Sequence, residues 1–133
     1  MSILGSGGIR VAEVTIPTAS VLTLNGTPVE IVPAPGVGRA NLPLVVVASV
    51  AFNSAAYATN TSLTVGYGGA GIITITGILA ATSSKVATAA GTVPAVATAT
   101  AQNAAIVASV ASGNPATGDS PITITVLYVT VTL

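Results

Sequence analysis

The stretch from Ile122 to Leu133, ITITVLYVTVTL, constrains the fold of this chain more than any other. It contains no Gly, Pro or charge and is almost entirely β-branched or aromatic. Such side chains suit a pleated, half-buried surface, so the stretch is expected to form a long strand, spanning roughly 40 Å at about 3.3 Å per residue. Ile122, Ile124 and Val126 place their apolar groups on one face, whereas Leu127, Val129, Val131 and Leu133 place theirs on the other. A strand with a single buried face keeps its phase, because a one-residue shift exposes its whole apolar set. Either a bulge re-aims the strand near Leu127, or its two halves bury opposite faces. The second arrangement needs a covering surface beyond the core of one subunit.

A chain of 133 residues is long enough for one domain with one core. Aromatic residues are scarce, only Phe52, Tyr57, Tyr67 and Tyr128, so the core must be built from Val, Ile, Leu and Ala. Charged residues make up 5% of the chain, against about 25% in ordinary soluble domains. They are Arg10, Glu13, Glu30, Arg39, Lys85 and Asp119, and they sum to zero. A neutral, charge-poor surface favours association, and the composition points to a surface largely covered by neighbours. Three cations do not make a phosphate-tracking patch, so nucleic acid is not an expected partner. With no cysteine there is no disulfide framework and no thiolate site.

The opening MSILGSGGIR does not have the pattern of a secretory signal, a basic region followed by an apolar core. Hydropathy is high, but the most apolar run, Leu42 to Phe52, is about half the length of a spanning helix. The longer Ala/Thr stretch from Val86 to Ala111 is interrupted by Gly91, Pro94, Gln102 and Asn103. No membrane partner is therefore expected.

Residues 1–10 read as a Gly-rich arm anchored only by Ile3, Leu4 and Ile9, and residues 11–133 as a single domain. An isolated arm of this kind has little to order it, so it is expected to dock on a neighbouring subunit. Val11 to Ile16 alternates as a strand with one wet face. Val21 to Leu24 and Val29 to Val32 flank Asn25-Gly26, which favours the positive φ angles of a type I′ turn and so predicts a hairpin. Pro33 to Gly38 reads as a loop, Leu44 to Phe52 as a central strand and Asn53 to Asn60 as a loop. Leu63 to Tyr67 and Ile72 to Thr76 read as strands. Between Gly77 and Ala101 short strands and loops are expected, then a strand over Ala104 to Ala111. The turn-rich segment Ser112 to Pro121 leads into the closing strand. About eight strands with frequent turns indicate an all-β fold, an antiparallel β-sandwich of jelly-roll-like form with an extended N-terminal arm.

Motifs with possible chemistry weigh little beside their structural readings. Gly66-Tyr67-Gly68-Gly69-Ala70-Gly71 matches G-x-G-x-x-G, yet a strand pattern follows where dinucleotide binding requires a helix. A hairpin turn is the better reading, and no cofactor is expected. The chain has no His or Cys, which excludes triads built on either. Ser84-Lys85 reads as a solvated turn rather than a Ser–Lys dyad, and three scattered carboxylates do not make a metal site. Asn25-Gly26-Thr27 and Asn60-Thr61-Ser62 fit the glycosylation sequon but are read as turn residues. Asp119, after Gly118, is expected to cap the turn into the last strand. No catalytic residue is assigned.

Three segments carry a resemblance: Val21 to Gly38 (VLTLNGTPVEIVPAPGVG), Phe52 to Gly69 (FNSAAYATNTSLTVGYGG) and Ala111 to Leu133 (ASGNPATGDSPITITVLYVTVTL). In style and order they are similar to small virion proteins of tailed bacteriophages, of the head decoration or cement type. The resemblance implies a β-rich subunit, often trimeric, that sits on the outer capsid surface and clamps the major capsid protein. It also implies a product made in the host cytoplasm, and no catalytic motif comes with it. The near absence of charge departs from the expected pattern and leaves open a tail- or fibre-associated module that binds a receptor or glycan through loops around Tyr57, Tyr67 and Asn114. Exposed aromatics at those loop tips would favour that alternative. The candidate interface residues are Ile3, Leu4, Ile9 and Arg10 of the arm, together with Glu30, Arg39 and Tyr128. Glu30 and Arg39 are expected to make rim or intersubunit ion pairs.

Overall fold

The structure, a computed structural model, describes residues 8–68, 70–90 and 96–133. Among these residues lie β1 (Arg10–Ile16), β2 (Val29–Val32), β3 (Arg39–Val50), β4 (Leu63–Tyr67), β5 (Ala70–Ile75), β6 (Lys85–Ala90), β7 (Ile106–Ser109) and β8 (Ile122–Thr132). They form two antiparallel four-stranded sheets, ordered β1-β8-β3-β6 and β2-β7-β4-β5. The expected all-β sandwich is therefore what the chain forms.

The long closing strand is central to the first sheet. It pairs with β1 through Ile16↔Ile122 and with β3 through Val50↔Ile122 at one end, and reaches Arg39↔Thr132 at the other. Ile122, Ile124 and Val126 point inward beside Val50, Ala48 and Val46 of β3, and all six are buried. Across the core lie Leu63 and Val65 of β4 and Ile106 and Ala108 of β7, also buried. Each large side chain removed from water in this way contributes about 1.5–3 kcal/mol. An aliphatic core with few aromatics suffices because both sheets contribute alternating Val, Ile and Leu.

The phase problem of β8 is resolved on its neighbour. The register with β3 shifts between Pro43 and Val45, opposite Tyr128 and Leu127. The extra residue, Leu44, thus sits on β3, and the bulge tolerates Pro43, which has no N–H to donate. β8 itself keeps its inward phase through to Thr130, which is 3% exposed. Leu127 and Val129 consequently face outward and are half-buried, whereas Val131, opposite the buried Ala40, packs against the core. The strand is therefore apolar on two faces, one in the core and one half-buried on the outside.

Other expectations are corrected. β3 begins at Arg39, five residues before the expected Leu44. No hairpin forms at Asn25-Gly26. The short helix α1 (Thr18–Val21) follows Pro17, and turns follow from Leu22. Gly26 does not adopt a positive φ. The Asn25 and Gly26 amides instead donate to Asn114 Oδ1 at 2.9 and 3.2 Å, and Asn25 Nδ2 donates to the Val110 carbonyl at 2.7 Å. A long-range asparagine clamp has overridden the local turn preference. A second short helix, α2 (Thr98–Ala101), was also not anticipated.

The strands on either side of the Gly-rich stretch, β4 and β5, pair antiparallel, with Tyr67↔Ala70 as their last pair. Gly66 is required there, because a Cβ would lie 2.3 Å from the Ala70 carbonyl oxygen. Ser84 accepts the Phe52 amide at 3.1 Å and Lys85 opens β6, so the two act as structural residues. Asn60 of the second sequon adopts φ 48°, a turn conformation. Among the described residues, no helix is long and apolar enough to cross a membrane.

Candidate functional site

The loop Pro33 to Gly38 joins β2 to β3 and therefore crosses from one sheet to the other. Two glycines at φ 107° and 79°, Gly36 and Gly38, let it turn back on itself. Asn103 fastens it by accepting the Gly36 amide at 2.9 Å, while its own amide donates to the Arg39 carbonyl at 2.8 Å. The amide of Leu133 donates to the Gly38 carbonyl at 2.8 Å, which brings the end of the chain to the same place.

Beneath this loop Asn41 is 3% exposed and fully used. Its Nδ2 donates to the Pro33 carbonyl at 3.1 Å, its Oδ1 accepts the Thr130 hydroxyl at 2.6 Å, and its carbonyl accepts the Tyr67 hydroxyl. Burial raises the Tyr67 pKa, so the phenol stays a neutral donor. These bonds lock β3, β4, β8 and the loop into one rigid floor.

On that floor lies a cleft of about 250 Å³, lined by Arg10, Arg39 and Tyr128 together with Asn41, Thr130 and the Pro33–Pro35 segment. Arg10 and Tyr128 are cross-strand partners on β1 and β8, and Tyr128 is also opposite Pro43 of β3. Two other clefts, of about 310 and 330 Å³, are lined by neutral side chains around Asn25 and Asn60. The smaller cleft is singled out by its two guanidinium groups, which can grip a carboxylate through parallel N–H donors.

The exposed apolar side chains gather at the same end. Ile9 and Val11 flank Arg10, Val37 precedes Arg39, Leu133 closes on Gly38, and Leu42 and Leu44 lie on the first part of β3. They range from 37% exposed at Leu42 and Leu44 to 82% at Val37. Of the large apolar residues exposed in the described structure, Val86 alone lies towards the other end, opposite Ser49. Leu127 and Val129, half-buried, lie beside Val11 and Leu42 on the outer face of the sheet.

Four of the expected interface residues therefore converge: Ile9, Arg10, Arg39 and Tyr128. Glu30 is exposed on β2, in the opposite sheet, just before Val32 at the cleft wall. Ile3 and Leu4 lie outside the described residues. Asn41, Val37, Leu42 and Leu133 were missed. The signal for Leu133 and Leu42 was the out-of-phase apolar row of the closing strand and its neighbour. Asn41 carried no local signal.

No family model and no curated protein matches this chain. The fold has a solved counterpart. A chain of the cyanophage Pam1 capsid asymmetric unit superposes with a TM-score of 0.60 at 20% identity, covering 97% of this chain and 89% of that one. At that identity the likeness concerns the fold. Among the described residues no group of three or more metal-ligating side chains occurs.

The far end of the sandwich has a different chemistry. Asp119 does not serve as a local cap. Its carboxylate accepts the Ser54 hydroxyl, the Ala55 amide at 2.8 Å, the Ser54 amide at 3.0 Å and Asn53 Nδ2 at 2.8 Å. Those bonds, the Ser54 hydroxyl foremost, hold its carboxyl well below the usual carboxylate range. Tyr57 is 3% exposed and donates to the Ser120 carbonyl at 2.8 Å.

Proposed function

We propose that this chain is a structural protein of a bacteriophage virion that decorates and stabilises the capsid by binding the major capsid protein, as a homotrimer on the outer surface. One observation carries the reading. A sandwich that shares its fold with a cyanophage capsid chain gathers its exposed apolar side chains at one end. The strand order, 1-8-3-6 over 2-7-4-5, supports describing the sandwich as a jelly roll, an architecture used by viral capsid and lectin domains. The role is passive. Apolar faces bury against symmetry mates, and the N-terminal arm with Ile3 and Leu4 reaches the shell. Burial contributes about 25 cal/mol per Å² before the costs of association, and repetition over a closed shell adds avidity. Synthesis in the host cytoplasm and a non-enzymatic role belong to the same reading.

Exposed aromatics on the loops would have favoured the receptor- or glycan-binding alternative. Tyr57 and Tyr67 are each 3% exposed and hydrogen-bonded internally, which removes the feature that would have favoured it. Comparing the melting of particles with and without this protein tests the proposal. A lower capsid melting temperature on its removal is expected, and an unchanged one contradicts it.

A further inference from the structure

Six charged side chains serve the whole chain, and the fold distributes them unevenly. Asp119 is engaged by the 53–55 loop. Glu13 accepts the Thr125 hydroxyl at 3.2 Å on the outer face of the first sheet. Lys85 begins β6 opposite Val50, at the far end. Arg10 and Arg39 line the cleft, and Glu30 is exposed on β2. β1 and β2 are edge strands of their sheets and lie against each other on one flank. That flank therefore presents a cationic recess and an exposed carboxylate side by side, on different sheets.

We infer that this flank is where two copies of the chain meet, with the Glu30 carboxylate of one copy seated between Arg10 and Arg39 of the other. Charge complementarity selects a second copy as the occupant. The flank carries both halves of the pair, so each of two copies can offer its carboxylate to the other's cationic recess. Tyr128 and Asn41 floor the recess, and Val37 and Leu133 are covered as it closes. The apolar rim supplies most of the association. The ion pair fixes register and excludes misaligned contacts, as charged groups at interfaces generally do. A carboxylate held by planar guanidinium forks makes directed, charge-assisted bonds, and lysine offers no equivalent fork. The inference rests on the self-association part of the functional reading and adds the surface and the residues.

Sedimentation velocity of the full chain over a range of concentrations tests it. Glu30→Arg and Arg39→Glu, each alone, are expected to weaken self-association by about tenfold or more, because each sets like charges face to face. The two changes combined in one chain are expected to recover part of that loss, since the contact between positions 30 and 39 is re-formed with its signs exchanged while Arg10 still faces the new cation. Glu30→Gln, which keeps the shape and drops the charge, is expected to show a smaller loss in the same direction. Both positions are exposed, and a thermal melt of each variant verifies folding. Association indifferent to the single reversals, or not recovered in the combined variant, overturns the pairing and leaves self-association standing. A wild-type chain that is monomeric at every concentration overturns both.

Discussion

β8 has two different ends. Near Ile122 the surrounding loops are closed by polar clamps. Asp119 holds the 53–55 loop, Tyr57 is buried with its hydroxyl bonded to the Ser120 carbonyl, and Ser120 Oγ accepts the Asn53 amide at 2.9 Å. Near Thr132 the floor is equally well bonded through Asn41, but it supports two cations and a ring of exposed apolar side chains. The same strands thus run from a finished end to an unfinished one. Rigidity is common to both. What separates them is whether apolar surface is covered from within the chain, and that difference is why we propose the partner surface at the open end.

The sharpest way to break the comparison is to open the closed end. Tyr57 packs directly over Gly118, where a Cβ would lie 2.2 Å from the ring. Removing the ring leaves a cavity and an unpaired Ser120 carbonyl, so Tyr57→Ala is expected to cost about 3–5 kcal/mol. Equilibrium denaturation in urea measures it. A loss below about 1 kcal/mol would mean that this end is not closed by packing.

A second effect acts through acid. The bonds to Asp119 lower its folded pKa below the unfolded value, so the stability they lend is fully present above the ordinary carboxylate range. It is lost as pH falls through the depressed folded value. The melting temperature should therefore decline below about pH 4. Asp119→Asn should start lower at neutral pH and show a flatter acid limb. Parallel acid limbs for the two proteins would remove Asp119 from the clamp.

Much of the sandwich was legible, because β-branched alternation in Val11 to Ile16, Leu63 to Tyr67 and Ile122 to Leu133 leaves little choice of structure. Local rules failed where long-range bonds intervened. Asn25-Gly26 has the letters of a hairpin, yet Asn114, far along the chain, captures its amides. Asp119 has the position of a cap, yet its partners lie 64 to 66 residues away. The open end was half legible. The apolar row after Val126 announced an outer face in need of cover, and Arg39 and Tyr128 were singled out. That Arg10, Arg39 and Tyr128 line one recess depended on the β1–β8–β3 register, which no local pattern encodes. A bulge in the closing strand near Leu127 was one of two readings of its phase switch; the register shift lies instead on β3, between Pro43 and Val45.

The smallest expected effect on the single chain is the most informative about the open end. Val11 and Leu42 lie on the outer face, 63% and 37% exposed. Changing both to Thr keeps strand propensity and removes apolar contact area without disturbing the core. The stability of the isolated chain should change by no more than about 0.5 kcal/mol, as for ordinary surface substitutions. Self-association should weaken in the same variant, because the area covered on assembly is reduced. The two measurements, urea denaturation at low concentration and sedimentation across a concentration series, must separate for the comparison between the ends to hold. If both fell together, Val11 and Leu42 would be part of the subunit's own core, and the end they occupy would be as finished as the other.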